Sequence, residues 1–243
     1  MIFDPSIFWR FLFYAPIVQG AELTIFMAVI SQIIGTVLGL FLALGRLSRS
    51  RLPIFRWPAD AFIWFFRGTP LLVQIIFVYD AIPQMTTQHI VLGIVTSAIV
   101  ALSLNEGAYM AEIIRAGIGS VDAGQVEAAK ALGMTYPLLM RRIVLPQAVR
   151  FIIPPFGNEF ISMLKNTSLA TVIAAPELLG ATQLVYDANS RYFELLTDAS
   201  VWYLAMTTVA TVVQRRIERR LEFRLLPRQR GFFAFAMPGS RRG

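Results

Sequence analysis

Cysteine is absent from this 243-residue chain, and histidine occurs once, at His89. The first absence removes disulfides, thiolate chemistry and cysteine metal sites. The second argues against a histidine metal cluster or a catalytic triad. No Gly-x-x-x-x-Gly-Lys-Ser/Thr phosphate loop occurs anywhere, so the chain cannot bind ATP by that device. A Gly-x-Ser-x-Gly elbow is missing too, which weakens any reading as an intramembrane enzyme. Charge is the last scarcity: 15% of residues are charged, where soluble domains carry about 25%. With 56% hydrophobic residues and a mean hydropathy of +0.61, the composition describes a membrane protein.

What is present is a series of apolar runs. A bilayer core of about 30 Å calls for roughly 20 apolar residues per helix. Five stretches meet or approach that length: about Glu22 to Gly45, Trp57 to Ile82, Ile90 to Ile114, Phe151 to Ala175, and a short fifth, Ala199 to Val213. Gly35 and Gly39 give the first a small-xxx-small spacing that lets helices approach closely. Pro70 removes a helix hydrogen bond within the second and could open a kink there. No internal repeat or low-complexity linker interrupts the chain, so residues 1–243 read as a single membrane domain. The opening Met1-Ile2-Phe3-Asp4 has no basic n-region and no clear cleavage site, so an uncleaved start is expected.

The net charge of +7 and a pI near 10 first suggest nucleic acid, but the location of the charges argues otherwise. Of 22 basic residues, 18 fall in three segments on one side of the spans. The first connection holds Arg46, Arg49, Arg51 and Arg56. The third holds Arg115, Lys130, Arg141, Arg142 and Arg150. The segment after Val213 holds nine arginines. The other side has only Arg10 and Arg191, with Arg67 and Lys165 inside spans. By the positive-inside rule the N-terminus lies outside and the C-terminus inside. Residues 214–243 carry the whole excess charge, a basic cytoplasmic tail suited to anionic lipid headgroups. The bilayer is the expected partner, and nucleic acid is not. The fold class is all-α: a polytopic membrane helix bundle of five transmembrane helices.

The stretch 118–146, between spans three and four, carries the most specific pattern. Glu127-Ala-Ala-Lys-Ala-Leu is a run of good helix formers, and Gly133 is placed to stop it. A second helical piece follows, and Pro146 marks the return towards the membrane. Such a short, rigid, small-faced helix suits a groove on another protein, though the Ala-rich run alone would in most cases mark an ordinary amphipathic surface helix. The full spacing decides the matter: Glu127, Ala128, Ala129, Gly133, Ile143, Leu145 and Pro146 match every fixed position of the EAA loop of ABC-importer permeases. The chain resembles the polar amino acid subfamily of that family along most of its length. The resemblance is carried by Gly20, Thr24, Arg67-Gly68-Thr69-Pro70, Asn105-Glu106-Gly107-Ala108-Tyr109, Glu112, Arg115, Gly117, Gln125, Asn158-Glu159 and Lys165-Asn166-Thr167-Ser168-Leu169.

That resemblance implies a type I importer permease, non-catalytic, in the bacterial cytoplasmic (inner) membrane. It implies a dimer of separate ABC ATPase subunits, docked on the loop and carrying the ATP and Mg, with no cofactor on this chain. It implies a second permease chain, identical or related, and an external solute-binding protein that delivers a small polar amino acid. Other small solutes, such as an opine or an organosulfur amino acid, and a channel lacking an ATPase remain alternatives.

Ionisable groups inside spans are functional candidates by default. Arg67 is open to two readings, contact with a substrate carboxylate or a structural arginine that snorkels or pairs with an acid. Asn105 and Glu106 suit a pathway lining for an ammonium or guanidinium group. Glu112 is expected to pair with Arg115 three residues on. Span four is the most suggestive, with Asn158 and Glu159 expected at the substrate alongside Thr167 or Ser168, and Lys165 interrupting an apolar run. Lys165 pairing with Glu159 is the competing reading. The four acids between Glu177 and Asp198 read as an outer connection, solvated or facing the external receptor.

Overall fold

The computed structural model describes residues 3–47, 55–87 and 89–225, and these form helices with no strand among them. A short helix α1 (Pro5–Phe11) is capped by Asp4, whose carboxylate accepts from the Ser6 N–H at 2.9 Å and the Ser6 hydroxyl at 2.7 Å. Those hydrogen bonds hold the Asp4 carboxyl below its usual range. Helix α2 (Ala15–Leu47) has 33 residues, longer at both ends than its apolar run. At about 1.5 Å per residue it reaches about 50 Å, enough to cross a bilayer and project.

The second expected span is broken. Helices α3 (Arg56–Gly68) and α4 (Leu71–Met85) meet at 108°. Thr69 before Pro70 is extended, at φ −112° and ψ 145°, because the proline ring disfavours the helical conformation in its predecessor. Helix α5 (Ile94–Gly119) follows, then the short α6 (Ala123–Ala131), then a long α7 (Tyr136–Ile173). Pro146 therefore does not begin a new helix but lies inside α7. A π-turn over Met140–Val144 precedes it, and another over Phe77–Ala81 precedes Pro83 in α4. In both places the wider turn accommodates a ring that would otherwise press on the carbonyl four residues back.

Beyond α7 the chain turns through Ala174, in the left-handed conformation at φ 58°, into α8 (Leu178–Asn189), bent 49° from α7. Helix α9 (Tyr192–Leu225) returns, so residues 214–225 continue a helix instead of starting a separate tail. The remainder of the basic tail, 226–243, and Arg49 and Arg51 lie outside the described residues. Three helices are long and apolar enough to cross alone, or five if each bent pair counts as one span, matching the number of apolar runs.

The bundle centres on α2 and α5, which run parallel in close contact. A Cβ on Gly35 would meet Glu106 Cβ at 2.6 Å, and one on Gly39 would meet the Ala111 nitrogen and the Gly107 carbonyl at 2.9 Å. Gly107 returns the favour against Leu38. Lipid tails are as apolar as leucine, so this seam rests on van der Waals fit, which only small residues permit. Around it lie Ile17, Met27, Ala28, Ile75, Leu102, Leu178 and Leu195. Gly39→Ala is expected to destabilise the purified protein by about 1–3 kcal/mol, since the obstructing atoms are backbone and cannot rotate away. Gly93→Ala, with nothing within 4 Å, serves as the control, and equal melting temperatures for the two would refute the seam argument.

Candidate functional site

The chain's ends of helices separate into a basic end, where α6 projects, and an opposite end where α8 lies. At the basic end Asp122 caps α6, accepting from the Gln125 N–H at 3.1 Å. Gly133, at φ 75°, ends it, its N–H reaching the Lys130 carbonyl at 2.9 Å while the Met134 N–H reaches that of Ala129. Ala129 is buried among Val121, Leu139, Val144 and Ala148, and Ile143 packs against the same cluster. Glu127, Ala128, Gly133, Leu145 and Pro146 stay exposed, and Leu132 is 84% exposed. The seven motif residues thus divide into two that seat the loop and five that face outward, around an apolar side chain left uncovered.

Ion pairs tie helix ends together at the basic end. Arg46 of α2 lies between Asp60 of α3 and Glu112 of α5, bonded to both, and Arg115 reaches Glu112 at 2.8 Å. Glu112 is therefore the structural acid its spacing to Arg115 foretold, with Arg46 as an additional partner.

Inside the bundle the polar groups have distinct duties. The break at Thr69–Pro70 frees carbonyls that lipid would leave unsatisfied. Gln74 donates to the Phe66 carbonyl at 2.9 Å and to Thr69, and Asn105 donates to the Phe66 carbonyl and to Gln74 Oε1, each at 3.0 Å. Asn105 thereby holds the bend. Arg67, at the C-terminal end of α3, lies over the Tyr109 ring at 5.3 Å. Glu106 is buried and accepts from Gln32 at 2.9 Å. Glu159 is half-buried and senses both Glu106 and Arg67 through space, with no ion pair to either among the described residues.

Asn158 and Lys165, seven residues apart, share an exposed stripe of α7. Asn158 accepts from Gln214 of α9 at 3.2 Å. Lys165 forms no ion pair with Glu159 among the described residues. It lines a cavity of about 390 Å³ with Ser168, Ser200, Tyr203, Leu204 and Thr207. Thr167 is fully buried and donates to the Leu164 carbonyl at 2.9 Å, so it faces the core and not this cavity.

The residue sequence reasoning placed wrongly is Glu177. It is fully buried, not part of a solvated connection, as are Asp198 and, nearly so, Glu194. Its carboxylate accepts from Thr171 at 2.6 Å, Tyr203 at 2.9 Å, the N–H groups of Leu179 and Gly180 at 3.0 and 2.8 Å, and Thr24 at 3.4 Å. Gly20 makes room: a Cβ there would stand 2.8 Å from Ala181 and 3.0 Å from the Glu177 carbonyl. The Gly20 and Thr24 pair in the sequence was the available signal.

A bundle that keeps ionisable groups between its helices, and projects a capped, partly uncovered helix from one end, has the form of a polytopic membrane protein with functional groups inside it. The chain belongs to the family of binding-protein-dependent transport system inner membrane components, which matches residues 35–223. It is 41% identical over 225 residues to the arginine transport system permease protein ArgU of Corynebacterium glutamicum, covering 87% of this chain and 70% of that protein. It is 40% identical over 240 residues to the octopine transport system permease protein OccM of Rhizobium meliloti, covering 95% and 93%. A crystal structure of an amino acid ABC transporter with histidines superposes at a TM-score of 0.83 with 36% identity, over 90% of this chain and all of that one. The fold is that of a type I ABC importer permease, and the chain is the permease subunit of an ABC transporter, a class of subunit that is generally non-catalytic.

Glu177→Gln is expected to cost about 1.5–3 kcal/mol, because hydrogen bonds to a charged acceptor are lost or reversed. Tyr203→Phe removes one donor and should cost about 1 kcal/mol. Thermal unfolding of the purified protein measures both, and a Glu177→Gln variant as stable as the parent would remove Glu177 from its structural role.

Proposed function

We propose that this chain and a second permease chain, identical or related, line the translocation pathway of a bacterial inner-membrane importer for polar amino acids. The observation that carries the reading is the cavity around Lys165. A lysine without an ionic partner among the described residues, open to a cavity lined by Ser168, Ser200 and Thr207, is chemically matched to a carboxylate. Glu159 lies six residues earlier on α7, about 9 Å along the axis and about 120° around it, outside the cavity and on the side of Glu106 and Arg67. It supplies the opposite charge, for an ammonium or guanidinium group. An amino acid with a cationic end meets both demands, in keeping with relatives named for arginine and octopine transport. Arg67 and Glu106 set the field around Glu159, and Asn105 preserves the bend beside it.

In this reading the basic end faces the cytoplasm, in keeping with the arginine distribution, and the exposed side of α6 docks a separate ABC ATPase. That partner binds the ATP and Mg. Leu132 enters its groove, while Ala129 and Ile143 transmit the contact to the bundle. A solute-binding protein delivers the amino acid at the opposite end.

Two experiments test these assignments in the reconstituted transporter. Glu159→Gln and Lys165→Met should each raise the KM for a cationic amino acid by about tenfold or more, the loss of one charged contact. Complex assembly should stay intact. Transport kinetics equal to those of the parent in both variants would sink the site. Gly133→Asp puts a side chain on a left-handed backbone at a cost of about 1–2 kcal/mol and adds charge at the exposed surface. It should abolish co-purification with the ATPase, and normal ATPase retention and stimulation would refute docking through α6.

A further inference from the structure

On the side of α9 away from the Lys165 cavity, α7 and α9 part around a second space, apolar apart from Gln214. This groove, about 570 Å³, follows α9 from Trp202 to Ile217, with Ile153, Phe156 and Phe160 of α7 as its opposite wall. Fifteen residues of helix cover about 22 Å, a length suited to an extended long acyl chain. The groove opens sideways, since Val209 remains 64% exposed and Val213 48%. Trp202 and Ser200 point about 200° apart around α9. The polar cavity and this groove therefore face different surroundings, and the apolar one suits lipid.

Charge complementarity selects the kind of lipid. Gln214 marks the basic end of the groove, where its amide donates to the Pro154 carbonyl and to Glu218. Arg150 lies one turn before Pro154 on α7. Its Nε is shielded from solvent with no hydrogen-bond partner. Arg216 and Arg220 are exposed on α9 on the side that faces the groove. An apolar slot ending in several guanidinium groups, only one acid among them, matches an acyl chain joined to an anionic headgroup.

We propose that this groove is a binding site for one acyl chain of an anionic phospholipid, with the lipid phosphate held by Arg150 and the neighbouring α9 arginines. The site is separate from the transport pathway and does not depend on which solute is carried.

The test uses the complete permease–ATPase complex in bilayers of equal parts phosphatidylglycerol and phosphatidylcholine, with a photoreactive amino acid in place of Ala205 in the groove. Illumination should join that position to lipid, with phosphatidylglycerol favoured. Arg150→Gln should lower the preference about fivefold, the equivalent of about 1 kcal/mol for one basic residue at the surface. Crosslinking to the second permease chain would overturn the proposal by making the groove a protein interface. Equal labelling of the two lipids, or a preference indifferent to Arg150→Gln, would overturn it by showing only bulk lipid. The label at Ala205 reads out in an otherwise unchanged protein, so the result stands even if the arginine variant assembles poorly.

Discussion

The Glu177 carboxylate is the point on which the arrangement of the far end depends. A bare carboxylate in an apolar bundle is costly, and it is stable here because every nearby donor converges on it. Thr24 comes from α2, Thr171 from the end of α7, Tyr203 from α9, and two backbone N–H groups from the first turn of α8. One ionised group thus joins four helices. It also caps α8 at its electropositive end, so the same charge that binds the helices together stabilises the shortest of them. With α8 fixed, α9 is directed back along α7, and the Lys165 cavity lies between those two helices.

The other end is organised by a different principle. There the α2–α5 seam brings two helices close through Gly35, Gly39 and Gly107, and the Arg46–Asp60–Glu112 cluster ties in α3. Ion pairs at an exposed surface contribute little stability individually. Their value here is positional, since the ends of α2, α3 and α5 are brought together.

Local patterns were legible in the sequence. The apolar runs mark the three long helices and the two bent pairs, the Gly35/Gly39 spacing marks the seam, and Gly133 ends α6 at a left-handed residue. Pro70 announced a kink, though the 108° break exceeds what one missing hydrogen bond suggests, because Thr69 is also forced into an extended conformation. Long-range partnerships were not legible. Glu177 looked like a solvated acid because its donors sit 153 residues away at Thr24 and 26 away at Tyr203. Asn158 and Glu159 are neighbours in sequence, but a helix turns consecutive residues about 100° apart. One therefore meets Gln214, while the other meets the field of Glu106 and Arg67.

Helix α7 runs from Tyr136, beside α6, through the π-turn at Met140–Val144 and past Glu159 and Lys165 to Ile173. It joins the basic end to the middle of the bundle. From Met140 to Lys165 the arm is about 37 Å long, so a tilt of about 5° displaces the lysine by about 3 Å. That distance is the difference between a made and a broken hydrogen bond. A small tilt of α7 is enough to shift the polar groups along it, without any helix having to unfold.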